Sequence, residues 1–312
     1  MRYILNSTAD YHRDDLTSLG WELTVCNCLE PPDSPCRKAL QKPLSFGQHL
    51  YHFLSGIFSF SRIKNAVEIG GGMGYLMRDF LSLHPPMRAK MIDISPFLLK
   101  RQQETLRPFH VDFQLADVCE IPLKALTGFD LAILNENLGD LPTLVATTEK
   151  IPSPGKDTLK YLRRLRRFSR NYGLPLGKDE SMNIGAMVVV EKLCLAGIRY
   201  IYISEHSCEA FVPEAMKPYL CFQSAVRPEK ISLKGHQEFT VKFSYLQKIA
   251  EMLNYKTRRG AFADFLALEL NDKIKTALRL ETPFNDEQEI IRQFVYDLYK
   301  YEYLILIKGD EQ

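Results

Sequence analysis

The sequence predicts a doubly wound α/β fold around a mostly parallel sheet. Three observations predict it. Between residues 65 and 135, apolar strand-like runs alternate with helical patterns. A glycine cluster joins the first run to its helix, and the runs stay apolar almost to their ends, where they turn polar. Nearly continuous apolar strands belong to sheets covered by helices on both faces. In such sheets ligands bind beyond the carboxyl ends of the strands, so the polar residues there are the candidates for chemistry.

Residues 1–45 carry no clear periodicity. In SFGQHLYHFLSGIFSF, residues Phe46, Leu50, Phe53, Leu54, Ile57 and Phe58 fall on one helical face. NAVEIG reads as a strand, and Leu76, Met77, Phe80 and Leu81 form the apolar face of the helix after it. AKMIDI is a second strand; Ser95 is placed to cap, and Pro96 to open, a helix running to about Leu106. HVDFQLADV and FDLAILNEN are two more strands.

Residues 143–182 break the rhythm with IPSPGK, LKYLRRLRRFSRNYG and LPLGKDES, and read as an insertion carrying a basic helix. A helix near 183–195, the strand IRYIYIS and a helix bearing Tyr245, Leu246, Ile249, Met252 and Leu253 resume it. The remainder reads as helical, notably 285–300, before an apolar strand, YEYLILI. The expected organisation is an N-terminal extension with a helix packed on the core (1–60) and one α/β domain (61–312) with the insertion at about 143–182.

Composition is that of a globular protein: 312 residues, 46% hydrophobic and 25% charged. Lys and Arg total 40 against 38 Asp and Glu, so global charge does not select nucleic acid as a partner. No apolar run approaches the roughly 20 residues that span a bilayer. The N-terminus turns polar too early for a signal peptide. A soluble, cytoplasmic protein without a membrane partner is expected. Seven cysteines in so long a chain do not suggest a secreted disulfide scaffold. Cys26, Cys28 and Cys36 lie close in sequence, but their spacing is not that of a zinc knuckle and no fourth ligand is nearby; no metal is expected.

The glycine loop reads VEIGGGMGYLMRDF, an E-x-G-x-G-x-G of Glu68, Gly70, Gly72 and Gly74. A dinucleotide loop is G-x-G-x-x-G, and its third glycine would fall on Tyr75, so that pattern fails. The spacing is that of S-adenosylmethionine sites, whose ligand has no phosphate to cradle. Glycines also serve tight strand–helix packing. Asp93, ending the second strand, is placed to accept from both ribose hydroxyls. Asp117, after the third, is placed to meet the adenine amine or to cap a turn.

With these segments in order, the chain resembles the MidA-like S-adenosylmethionine-dependent methyltransferases, a family that includes a mitochondrial complex I assembly factor. SFGQHL at 45–50 is similar to the family's S-x-x-F-G-x-x-L helix, one residue shorter. The loop at 67–81, with Leu76, Met77 and Asp79, is similar to its glycine loop; IDISPFLLKRQQETL at 92–106, with Asp93, Ser95, Pro96 and Gln103, to its acid-x-S-P segment; and LNENLGDLP at 134–142 to its N-E-x-x-D-x-L-P segment. EFTVKFSYLQKIAEMLNY at 238–255 is a fainter echo. In this chain the family aspartate falls on Gly139, with Asp140 one place later; SEHS at 204–207 replaces a D-Y-G; and the usual N-terminal G-D-F-x-T is absent.

The resemblance implies a class I S-adenosylmethionine-dependent methyltransferase fold and methylation of a protein arginine. Glu136 would then orient a cationic acceptor. Asn135 would fix the cofactor or its loop, unless both residues cap the turn into LGDLP. Asp140 is a further candidate. Glu205 and His206 end IRYIYIS and should face the same site, as base and orienter or as a hydrogen-bonded loop pair.

The segment 156–170 holds Lys156, Lys160, Arg163, Arg164, Arg166, Arg167 and Arg170 against one acid, Asp157. It reads either as a solvated basic helix or as a lid over the site that docks an acidic protein substrate, with RNA as the less favoured partner. Three function classes follow: a protein methyltransferase, a methyltransferase of a small molecule or RNA, and a cofactor-binding protein without catalysis.

Overall fold

The computed structural model describes residues 2–14, 24–148, 154–175, 177, 180–280 and 285–309. In chain order the strands are β1 (Arg2–Asn6), β2 (Asn65–Ile69), β3 (Arg88–Asp93), β4 (Val111–Leu115), β5 (Leu131–Asn135), β6 (Thr143–Thr147), β7 (Tyr200–His206), β8 (Lys230–Ser232), β9 (Gln237–Phe239), β10 (Tyr255–Ala261) and β11 (Tyr301–Lys308). The helices are α1 (Ala9–Asp14), α2 (Val25–Cys28), α3 (Pro35–Lys38), α4 (Phe46–Ser55), α5 (Tyr75–Leu83), α6 (Pro96–Thr105), α7 (Lys156–Tyr172), α8 (Ile184–Leu195), α9 (Phe243–Met252), α10 (Asp272–Arg279) and α11 (Asp286–Lys300).

Seven strands form the central sheet in the order β10-β11-β7-β5-β2-β3-β4. Strands β4, β3, β2, β5 and β7 pair in parallel, while β11 runs antiparallel to both of its neighbours. The chain winds outward through β3 and β4, then returns to wind the other way through β5 and β7. The order therefore reverses between β2 and β5, which is where such sheets open a crevice. Successive residues of β7 serve opposite layers. Tyr200 and Tyr202 pack with residues of α4, α5, α10 and α11, and Ile201 and Ile203 with residues of α7, α8 and α9. This double coverage is why the strands are apolar throughout. The fold is the Rossmann-like, mostly parallel α/β architecture expected from the sequence.

Two sequence segments that carried the family resemblance meet in space. Ser45 caps α4 through a capping box with Gln48, and its hydroxyl also donates to the Asp79 carboxylate on α5. Gly47 lets the two helices approach, since a Cβ there would stand 2.8 Å from the Asp79 side chain. Phe46, Leu50 and Leu54, spaced by four, bury the same face of α4, at about 1.5–3 kcal/mol for each large apolar side chain. Arg78 closes the contact with a bidentate pair to Glu30 at 2.7 and 2.9 Å.

Three elements depart from the expectation. YKTRRGA forms β10 where no strand was expected. It lies at the sheet edge, where Lys256, Arg258 and Arg259 are tolerated and discourage further pairing. The start of the expected insertion, 143–147, is β6, paired antiparallel with β1; Leu144 also bridges Met182, which brings the insertion's two ends together. Residues 149–153, 176 and 178–179 of it lie outside the described residues. The basic helix α7 packs against α8, α9 and the β1–β6 pair, burying Tyr161, Leu165, Phe168 and Tyr172. Arg167 and the Tyr172 hydroxyl both bond Glu191 of α8, at 3.0 and 2.6 Å, and Lys160 bonds Glu120 at 2.7 Å.

Candidate functional site

Beyond the carboxyl ends of β2, β3, β5 and β7 lies a cavity of about 440 Å³. The strand ends and glycine loop form its inner wall. Its outer wall comes from residues around α1 and α2, the loop after β5 and the β8–β9 hairpin. None of the residues of α7 lines it.

Gly70, Gly72 and Gly74 have φ of +64°, +53° and +82°, which is the physical content of the motif. Gly70 and Gly72 line the cavity. Gly74 instead serves packing: a Cβ there would meet Gln102 and Leu106 at 3.4 Å. Asp93 is buried at the end of β3; it accepts from the Ser95 N–H at 2.8 Å and the Gln102 side chain at 2.7 Å. Gln102 also donates to the Gly72 carbonyl at 3.1 Å, locking the loop to the strand-end acid. Sequence reasoning singled out the neighbouring Gln103, which is exposed; the residue facing inward is Gln102. Asp117 accepts from the Cys119 N–H at 2.8 Å, a turn contact, and lies 3.5 Å from Arg13, while still lining the cavity.

At the end of β5 the arrangement differs from the expectation. Glu136 has φ +56°, a left-handed conformation that costs a non-glycine residue about 1–3 kcal/mol. The turn directs its carboxylate to the N–H groups of Val25 and Cys26, at 2.9 and 3.1 Å, and to Asn135 at 3.0 Å. Glu136 thus anchors the N-terminal end of α2 while still lining the cavity. Asn135 accepts from the Ser204 hydroxyl at 2.8 Å. Asn137, which sequence reasoning passed over, donates to the Ile69 carbonyl and so ties this loop to the glycine loop.

Glu205 holds the same loop from β7. It accepts from the Gly139 N–H at 3.0 Å and from the His206 N–H at 2.7 Å. A Cβ on Gly139 would stand 3.5 Å from that carboxylate and 3.2 Å from the Phe239 carbonyl, so the family's aspartate would be crowded here. His206 stacks on Tyr301 at 3.8 Å. Its nearest acid is Asp297, at 3.5 Å, rather than Glu205, at 3.9 Å.

Asp140 receives His12 Nε2 at 2.9 Å, and His236 Nε2 lies 3.8 Å from the same oxygen. Neither histidine was singled out in the sequence. They lie far from Asp140 along the chain, in patternless segments, and no local signal marks them. Burial works against protonation of His12, but the hydrogen bond and charge of Asp140 outweigh it and raise its pKa. The three cysteines do not converge on one point: Cys26 lines the cavity, whereas the free thiols of Cys28 and Cys36 share a hydrogen bond.

Among the described residues the cavity lining is acidic, with eight Asp or Glu residues against a single Lys or Arg, Lys234. Burial, then the charge of Asp93, pushes Glu68 up to about 8; burial pushes Glu136 up to about 7 despite its three donors. One Glu68 carboxyl oxygen and the Asn137 side-chain amide oxygen are buried without a partner. Such a lining favours a cationic ligand and opposes a pyrophosphate.

No family model matches the chain, and no curated protein matches it. Among solved structures, the chain is similar to an O-methyltransferase family protein from Burkholderia thailandensis, at 10% identity and a TM-score of 0.45, covering 90% of this chain and 59% of that one. It is also similar to the N-terminal domain of EvdMO1 with SAH bound (9%, TM-score 0.44, covering 84% and 81%). A third is the complex of the Haloferax volcanii Trm112 methyltransferase activator with a methyltransferase (11%, TM-score 0.44, covering 84% and 92%). The chain spans under two thirds of the Burkholderia protein. The fold assignment itself rests on the strand order, and among the described residues no helix is long and apolar enough to cross a membrane.

Proposed function

We propose that the chain is an S-adenosylmethionine-dependent methyltransferase. The observation that carries this is an acidic cavity at the sheet's switch point, closed on one side by a glycine loop with the wrong spacing for a dinucleotide. S-adenosylmethionine carries a sulfonium and an ammonium and no phosphate, so its charge complements this lining. Asp93 would hold the ribose hydroxyls, each of its oxygens keeping a lone pair beyond the bonds to Ser95 and Gln102. Glu68, with its unpartnered oxygen, and the backbone around Gly70 and Gly72 would hold the amino-acid tail. Asp117 would face the adenine amine.

The bound cofactor supplies an electrophilic methyl group. The protein's part is to bind and align it with an acceptor and to exclude water. The arginine acceptor implied by the family resemblance relied on Glu136, whose carboxylate is engaged with α2. A second acceptor contact would come from the outer wall, where Asp140, Glu238, His12 and His236 meet. The exposed Arg163, Arg166 and Arg170 of α7 would suit a remote acidic surface of a protein acceptor.

The test is transfer of a labelled methyl group from S-adenosylmethionine to fractionated protein, RNA and small-molecule pools. Label in one class identifies the acceptor and must disappear with Asp93→Ala. Cofactor binding without transfer to any class would contradict the enzymatic reading and leave a binding protein.

A further inference from the structure

We propose that His12, Asp140, His236 and Glu238 form a binding site for one divalent transition-metal ion in the outer wall of the cavity. Both imidazoles turn the same atom, Nε2, toward one Asp140 oxygen, at 2.9 and 3.8 Å. The three ligand atoms of His12, Asp140 and His236 lie within 4.8 Å of one another. A Glu238 carboxylate oxygen lies 2.8 Å from His236 Nε2 and would swing in as the fourth. Ligands about 2.0–2.2 Å from a zinc ion stand roughly 3.0–3.6 Å apart, so the spacings among His12, Asp140 and His236 need only small side-chain adjustments to close on a metal. Two imidazole nitrogens and two carboxylate oxygens suit zinc, manganese or iron rather than magnesium or calcium, which take all-oxygen sets.

The construction around the cluster supports a site. The ligands come from three segments outside the central sheet: α1, the loop after β5, and the β8–β9 hairpin with its three-residue strands. The segments are already pinned around the ligands. Thr8 donates to the Asp140 carbonyl at 2.8 Å, and Asn6 to the Gln237 carbonyl at 2.8 Å. Tyr11 stacks on the His236 ring at 4.2 Å and fixes its plane. A metal at this point would join three small elements that share little core, as metal binding commonly does for short elements. All four ligands line the cavity, so the ion would be open to an oxygen-donor group of whatever molecule enters. Only that last clause rests on the methyl-transfer reading; the metal site stands without it.

The test uses the full chain stripped with chelator, without cofactor, titrated with Zn²⁺ and separately with Mn²⁺ in a calorimeter. One equivalent should bind, with a rise in melting temperature. His12→Ala and His236→Ala should each weaken binding at least tenfold, and Asp140→Asn should do the same with less change of shape. His206→Gln, in the same cavity but outside the cluster, should bind as the parent does. Circular dichroism establishes that each variant is folded. The proposal is overturned if the parent binds neither ion. It is equally overturned if binding survives the double histidine variant or is lost instead in Cys28→Ser and Cys36→Ser. Failure here leaves cofactor binding unaffected, since S-adenosylmethionine affinity is measured separately.

Discussion

The two walls of the cavity are built in different ways. The inner wall is local: strand, glycine loop and helix follow one another in sequence, and Asp93, Ser95 and Gln102 lie within one β3–α6 unit. The outer wall is assembled from remote segments, with His12 and Asp140 separated by 128 residues. The first is fixed by backbone geometry, the second by contacts that exist only once the whole chain has folded. Substitutions in the inner wall should therefore act on the cofactor, and those in the outer wall or its anchors on assembly and on the acceptor.

The largest expected effect tests the inner wall. Asp93→Ala removes the proposed ribose partner and unlocks Gln102 from the strand end. Cofactor affinity should fall by roughly 100-fold, about 2.7 kcal/mol, within the range for hydrogen bonds to a charged group. Calorimetry checks it, and an unchanged affinity would break the assignment of this wall.

Next is Glu136, the joint between the walls. Glu136→Ala loses two backbone N–H bonds to α2 while relieving none of the left-handed strain. Stability should fall by about 2–3 kcal/mol, and residues before α4 should become more susceptible to protease. Denaturant melts and limited proteolysis read both effects. Loss of turnover with unchanged stability would restore the acceptor-orienting role.

How much of this was legible follows the same division. Ser95 and Pro96 announce α6 because capping chemistry is local, and Asp93 is legible because it ends an apolar run. Gln102 was misplaced by one position because a motif names a residue, whereas burial depends on the helix's rotation. β10 was missed because an edge strand needs little apolar alternation and YKTRRGA shows almost none. The left-handed turn at Glu136 leaves no mark, since nothing in NEN requires it. The convergence of His12 and His236 on Asp140 depends on the packing of β1 against β6 and on the hairpin, neither of which has a pattern of its own.

A third prediction sharpens the electrostatic contrast. Glu68 has a folded-state pKa of about 8, above its ordinary 4.5, because burial disfavours its charge. Its stabilising contribution is complete below the ordinary value and is lost as pH rises through about 8. In the ligand-free protein Glu68→Gln should flatten this decline and raise stability at pH 8 by roughly 2 kcal/mol, while weakening cofactor binding. Thermal melts across pH check it; equal slopes for parent and variant would mean that Glu68 is not the group responsible.

The smallest effect belongs to α7. Arg163, Arg166 and Arg170 are exposed and away from the cavity, so reversing all three to Glu should leave cofactor affinity within about twofold. With an acidic protein acceptor, association should slow at low salt and converge with the parent's rate as salt rises. Stopped-flow measurement at two salt concentrations distinguishes this from a solvated face, for which the rates would agree throughout.

The most direct measurement is a calorimetric titration with S-adenosylmethionine, repeated with NAD and across pH. A cationic ligand favours the ionised forms of Glu68 and Glu136, whose values lie near 8 and 7. The predicted result is one equivalent of S-adenosylmethionine bound, with protons released and affinity rising between about pH 6 and 8, and no binding of NAD. Absence of S-adenosylmethionine binding, or NAD binding equally well, would contradict the account.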